Sequence, residues 1–362
     1  MRSWRWPGRQ DDGERDPGEA GPGDAAAHAD EHAHHGRDGD GRHPWDAPPG
    51  AGEPAVDHPA DDAAGEPADP EAERTLPRIG FIGAGRVGVA LGVAFLRAGW
   101  PVTVVASRDP ERRRRFREAV PTSRAVEAAR LVPDWCDLVF VTVPDDAIGG
   151  VAAGLRLYSG QAIAHTSGLL PAAALRPALA AGTEAGSFHP LVAFAETESA
   201  VQALHGATIA IEGDAALQPL LADLARAVGA EPVRIEPEGK AAYHAAAVLA
   251  AGGFVALLDA IAELGRGAGL DEPGALAIYA PLVRQALAGA ERLGIAAALT
   301  GPVVRGDAGT LRAHFEAMRR LAPGAVDLYA AAARREVALA RERGDLDAAH
   351  ADVLLGIITS GA

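Results

Sequence analysis

Lys240 is the only lysine among the 34 basic residues of the chain, and the other 33 are arginine. Arginine keeps its proton in a protein, whereas a buried lysine can shift its pKa and exchange one. Chemistry or tight geometry is therefore expected to hold the amine at this position, against the alternative of a chance surface survivor. Lys240 opens the run Lys240-Ala241-Ala242-Tyr243-His244, in which Lys240 and His244 share one helical face. The first turn of a helix disfavours a cation, and burial against apolar walls lowers an amine pKa. Such an amine suits proton donation to a reduced carbonyl or imine, or a hydrogen bond to a developing oxyanion.

Two further polar clusters interrupt apolar segments at expected strand ends. They are His165-Thr166-Ser167-Gly168 and Ser187-Phe188-His189-Pro190-Leu191. Parallel strands end on one rim, so the two clusters can converge. Lys240, His244 and His189 are the candidate catalytic residues, and His165 and Ser167 are candidate substrate contacts. For each histidine the alternative is a satisfied structural group. A late cluster, Leu299 to Asp307, sets Arg305 and Asp307 about glycines. Arg305 could grip a substrate carboxylate bidentately, with Asp307 beside it. The alternative is a capped interhelical turn in which the two residues pair.

A dinucleotide site is expected earlier in the chain. Gly83-Ala84-Gly85-Arg86-Val87-Gly88 lies between a short β run, 78–82, and an apolar helical stretch, 89–98. That context confirms a G-x-G-x-x-G motif. Gly83 would allow the tight turn, Gly85 the approach of a pyrophosphate, and Gly88 close packing of helix on strand. The second strand ends in Ala106-Ser107-Arg108 rather than in Asp or Glu. Ser107 and Arg108 suit the 2′-phosphate of NADP better than the free hydroxyl of NAD. Val143, Pro144 and Asp145 follow another strand and are expected to touch the cofactor. The alternative for Asp145 and Asp146 is helix capping.

These residues must be positioned by a sheet and a helical body. Strands are expected at 102–106, 138–143, 162–165, 185–188, 208–211 and 232–235, alternating with helical patterns, which indicates a mostly parallel α/β sheet with helices on both faces. After about residue 236 the strands stop, and helices are expected over 240–266, 273–292, 310–321 and 325–343. The first is apolar nearly all round, as for a helix buried in a core or a dimer interface. The organisation is thus a tail at 1–77, a nucleotide-binding domain at 78–235 and an all-α domain at 236–359.

The tail carries 19 acidic and 7 basic residues and six of the 12 histidines. Low hydrophobicity with high net charge implies disorder. A weak metal site there is the alternative to a solvated extension; no fixed metal site is expected elsewhere. The net charge of −15 argues against a nucleic-acid partner. The single cysteine, Cys136, is expected as a buried thiol and excludes a disulfide framework. With no secretory segment and no apolar run with membrane flanks expected, the reading is a cytoplasmic protein without a membrane partner, forming a homodimer through its helical domain.

The order of these motifs resembles a family. The strand–GAGRVG–helix opening, HTSG, FHP, KAAYHAAA and LTGPVVRGD follow one another as in Rossmann-like proteins with a DUF2520 C-terminal domain, over roughly residues 78–345. That family is related to pyrroline-5-carboxylate reductase, ketopantoate reductase and the β-hydroxyacid dehydrogenases. The resemblance implies an NADP-dependent oxidoreductase acting on a small molecule, with Lys240 matching a lysine at the helical-domain entrance that acts on substrate. His189-Pro190 resembles the HP segment of prephenate dehydrogenases. Relatives often carry an Asn about twelve residues beyond the lysine, where this chain has Gly252, which leaves His244 as the nearest polar partner. The expected reaction is reduction of a small carboxylated ketone or imine. The rival reading is a nucleotide-binding sensor or scaffold without turnover.

Overall fold

The computed structural model describes residues 76–362. The expected disordered tail and its histidines lie outside the described residues, apart from Leu76 and Pro77.

Short apolar runs, most of them with β-branched residues, make the strands. They are β1 (Ile79–Ile82), β2 (Val102–Ala106), β3 (Arg124–Val126), β4 (Leu138–Val141), β5 (Ala162–His165), β6 (Glu184–Pro190), β7 (Thr208–Gly213) and β8 (Glu231–Arg234). One sheet holds them in the order β3-β2-β1-β4-β5-β6-β7-β8. From β3 to β6 the pairing is parallel, as expected for a doubly wound fold. The strand order reverses between β1 and β4, which opens a crevice at their carboxyl ends. β3 was not expected from the sequence.

The far edge is where the mostly parallel sheet changes direction: β7 runs antiparallel to β6, and β8 then pairs parallel to β7. Only β5 and β6 of these far strands therefore end at the crevice rim. Side chains alternate between faces along each strand. One face buries Phe81, Phe95, Phe116, Phe140 and Phe188 in one aromatic cluster. The other buries Val104, Val139, Val141 and Ile163, with the Cys136 thiol among them as expected.

Helices flank the sheet: α1 (Arg86–Arg97), α2 (Pro110–Ala119), α3 (Asp145–Ala153), α4 (Thr197–Leu204) and α5 (Gln218–Ala227). Asp109 caps α2 by accepting from the backbone N–H groups of Glu111 and Arg112, with Pro110 at the first helical position.

The chain beyond is helical: α6 (Lys240–Val248), a π turn (Leu249–Gly253), α7 (Phe254–Gly267), α8 (Glu272–Leu293), α9 (Ile295–Ala298), α10 (Ala308–Leu321), α11 (Val326–Arg343) and α12 (Ala348–Gly361). The core of this body comes from α10, α11 and α12, around Leu311, Phe315, Val337 and Leu354. α12 extends the helical pattern beyond those expected.

The long apolar helix spans the residues expected but is not buried in the core of its own chain. Gly252 and Gly253 do not interrupt it, because the π turn carries the helix from α6 into α7. The stretch Pro237–Gly267 has a mean hydropathy of 2.1 and is long and apolar enough to cross a membrane by length and composition. It is not buried within its own chain: Val248, Leu249, Phe254, Val255 and Leu257 are exposed. So are Ile278, Leu282 and Leu287 of α8.

Candidate active site

The crevice between β1 and β4 is a cleft of about 1450 Å³. Its floor is the β1–α1 turn. Gly83 adopts φ +113, and a Cβ there would lie 2.6 Å from the carbonyl oxygen of Thr142. Gly88 admits no Cβ either, since one would meet Gly83 O at 2.4 Å. Gly85 faces open space, with nothing within 4 Å of a Cβ. The turn thus presents bare backbone and the start of α1 to the cleft, an arrangement suited to a pyrophosphate. Ala84, Arg86 and Val87 line it from the same turn, and Val143, Pro144 and Asp145 line it from the β4–α3 turn.

The far end of the cleft carries charges of both signs. Ser107, Arg108 and Arg112, in the first turn of α2, line it with Asp109 and Glu127, and Arg112 pairs with Asp109 at 3.4 Å. Sequence reasoning passed over Arg112, although the arginine-rich first turn of a helix following the second strand was a visible signal. Ser107 and Arg108 directly follow β2, and Asp109, the next residue, is engaged as the cap of α2. These residues fit the adenosine end of a nicotinamide dinucleotide.

A second constellation lies beside the cleft. His165 on β5, Ser187 on β6 and Glu212 on β7 stand abreast, because the strand registers pair His165 with Ser187 and Ser187 with Glu212. Cross-strand partners point to the same face, and Lys240 enters over that face from the start of α6. Its ammonium donates to Ser187 Oγ at 2.7 Å and lies 3.8 Å from Glu212 Oε2. Lys240 is only 2% exposed and Glu212 only 6%. Burial lowers the Lys240 pKa, while Glu212 and the more distant Asp145 oppose that shift.

His165, expected as a substrate contact, is hydrogen-bonded within the protein. Its Nε2 donates to the Pro171 carbonyl at 3.1 Å, and its Nδ1 accepts from the Ser167 N–H at 3.2 Å. Both ring nitrogens are committed and the residue is fully buried. Burial and the nearby Lys240 charge push its pKa down to about 4, so the ring is neutral. Ser167 is committed as well. Its hydroxyl donates to Asp145 Oδ2 at 2.7 Å and accepts from the N–H groups of Leu169 and Leu170. These two residues shape the β5 turn; they present no free polar atom to a substrate.

His189 and His244 keep uncommitted nitrogens. His189 Nδ1 meets the Tyr243 hydroxyl at 3.0 Å. Burial first, then the neighbouring His244 and Lys240, hold its pKa near 4. The Nδ1 of His244 is buried without a hydrogen-bond partner. Both rings press on Gly168, where a Cβ would lie 2.5 Å from His244 Nδ1 and 2.8 Å from His189 Nε2. The His189 and His244 ring centroids are 5.6 Å apart. Tyr243 and Gly168 thus join the histidines, and Glu212 joins the lysine.

Arg305 and Asp307 are placed elsewhere. Asp307 caps α10, accepting from the Thr310 N–H at 3.0 Å and from its hydroxyl at 2.7 Å. Gly306 of the same turn packs on Leu346 and His350, and Arg343 donates to the carbonyls of Ala296 and Leu299. This turn is built into the helical body, and no contact described brings it to Lys240 or the histidines. The capping role anticipated as the alternative for Asp307 is the one seen.

Comparison with known proteins agrees with this architecture. Residues 64–190 match the model of a Rossmann-like domain, and residues 207–336 match a domain of unknown function, DUF2520. No curated protein matches the chain. Among solved structures, a candidate NADP oxidoreductase of Bacteroides fragilis is 21% identical with a TM-score of 0.60, over 72% of this chain and 98% of that one. Protein TM1727 of Thermotoga maritima is 26% identical with a TM-score of 0.56, over 73% and 99%. A 1-pyrroline-5-carboxylate reductase of Streptococcus pyogenes is 18% identical with a TM-score of 0.52, over 79% and 98%.

Proposed function

We propose that this chain, a Rossmann-like domain joined to a DUF2520 domain, is an NADP(H)-dependent reductase of a small carboxylated ketone or imine. The observation that carries the reading is the adjacency of two built sites. A glycine-floored cleft with Ser107, Arg108 and Arg112 at its far end abuts a buried cation and two histidines with free nitrogens. Asp145 belongs to both, lining the cleft and holding Ser167. The B. fragilis and S. pyogenes proteins are supporting precedents for the fold.

NADPH, when bound, would supply a hydride. The chain's own residues would then manage charge and protons. Hydride addition to C=O or C=N places negative charge on the heteroatom, which must take up a proton. Lys240, sealed over Ser187 and Glu212, acts as a fixed positive charge facing that region; its coverage by protein argues against direct proton donation. His189 can steady the developing charge with a hydrogen bond from its neutral ring, the proton itself coming from solvent. If Tyr243 donates to His189 Nδ1, the neutral ring must carry its proton on Nε2, on the Gly168 side beside His244. Arg305 would anchor a substrate carboxylate only when brought to the site by another copy of the chain. A homodimer through the exposed apolar faces of α6, α7 and α8 is part of the proposal, as is a cytoplasmic setting.

The test is NADPH consumption with a panel of 2-keto acids and cyclic imines, comparing wild type with Lys240→Arg. The proposal expects turnover of at least one panel member, lowered about 100-fold or more in the variant, since a flat guanidinium cannot replace a compact ammonium in a closed slot. Tight NADPH binding without turnover of any substrate would favour the sensor reading instead.

A further inference from the structure

Glu212 does not touch the cleft, and nothing in the proposed chemistry requires it. It is nevertheless a carboxylate on an inward position of a core strand, where the alternation of β7 otherwise places apolar side chains: Ile209 and Ile211 on one face, Ala210 beside Glu212 on the other. An unpaired carboxylate in such a place is strongly unfavourable. Two contacts hold it: its Oε2 accepts from the Ala172 N–H at 2.7 Å and lies 3.8 Å from the Lys240 ammonium.

We infer that Glu212 is the positioning residue of the site, a buried counter-ion that keeps Lys240 charged and aimed at Ser187. The antiparallel return of β7 makes this possible, because it sets Glu212 directly beside Ser187. Through Ala172, the same carboxylate ties the segment after the HTSG turn to the start of α6. Two elements that bear on the site, the segment after the β5 turn and α6, are thereby tied by one side chain, on a strand paired with β6. This inference rests on the reading of Lys240 as the cation of the site.

The other titratable groups facing Lys240 do not substitute for Glu212. Asp145 acts on it from α3 at longer range, its carboxylate already receiving the Ser167 hydroxyl. His165 on β5 and His189 on β6 are neutral rings, and His244 lies on the same helix as Lys240. Removing the Glu212 charge leaves burial to act on the amine almost unopposed, so the amine should lose its proton at lower pH.

The unique lysine allows a direct test that needs no substrate. The full chain is labelled with carbon-13 at lysine Cε, giving one lysine resonance, and titrated by NMR. In Glu212→Gln, whose amide oxygen can still accept from Ala172, the Lys240 pKa should fall by about one unit or more. In Ser187→Ala, which removes a hydrogen bond and no charge, it should fall by less than about half as much. Circular dichroism checks that each variant folds. Should Glu212→Gln not fold, Glu212→Asp, with its charge withdrawn by one methylene, should show a smaller fall in the same direction. An unchanged Lys240 pKa in the Glu212 variant, or an equal fall in Ser187→Ala, overturns the inference. A pKa fall in a protein that turns over no substrate would support the counter-ion and count only against the reductase reading.

Discussion

At the scale of residues, the site is a set of buried and half-buried polar groups. Lys240 and Glu212 form an ion pair closed from water on both sides. Breaking such a pair by removing one partner leaves a buried charge and costs about 3–5 kcal/mol. Lys240→Met should therefore destabilise the fold by about that amount, and Lys240→Met with Glu212→Gln should recover much of it; denaturant unfolding of the three proteins checks this. His165 and His189 make a second prediction. Both are held near pKa 4 in the folded protein, below the usual value of 6.5. Between those two values the unfolded chain binds more protons than the folded one, so stability falls as pH falls. The melting temperature should drop as pH is lowered from about 7 to 5, and His189→Gln should flatten that drop. At the cofactor end, Arg108→Ala should weaken NADPH binding about 10- to 100-fold with little effect on NADH, as expected for loss of a charge-assisted bond to phosphate; fluorescence titration of both nucleotides reads this.

At the scale of elements, the glycines decide how closely the parts can meet. Gly168 sits in the turn after β5 with two imidazoles against it. Gly168→Ala puts a methyl into that contact, so His189 and His244 must move apart. The expected result is loss of most turnover with a stability cost of about 1–3 kcal/mol from overpacking. Much of this element level was legible in the sequence. The strand–glycine motif–helix unit stands where the motif context placed it, and β2, β5 and the start of α6 are at the anticipated residues. Strand direction was not legible. Alternating residues in 208–213 mark a strand without saying which way it runs, so the pairing of Glu212 with Ser187 could not be foreseen. The inward carboxylate was the available signal. The internal hydrogen bonds of His165 and Ser167 were not legible for a related reason, since a residue type says nothing about which backbone groups claim its polar atoms.

At the scale of the whole molecule, the exposed apolar faces of α6, α7 and α8 are what a single copy leaves unburied. Exposed Leu249, Val255, Leu282 and Leu287 are compatible with water only if few in number or covered. The apolar character of 240–266 was plain in the sequence, but that alone does not distinguish a helix covered by its own chain from one covered by another. Sedimentation at micromolar concentration should give a dimer. Val255→Glu together with Leu282→Glu should raise its dissociation constant about 100-fold or more, since charges would be buried at the interface.

The most direct test follows the hydride itself. NADPH carrying deuterium at C4 of the nicotinamide is incubated with the protein and a pool of 2-keto acids and cyclic imines, and the products are resolved by mass spectrometry. The account predicts deuterium in the reduced form of at least one carboxylated substrate with wild type, and little or none with Lys240→Arg. Deuterium in no product despite tight NADPH binding, or equal transfer by Lys240→Arg, would contradict it.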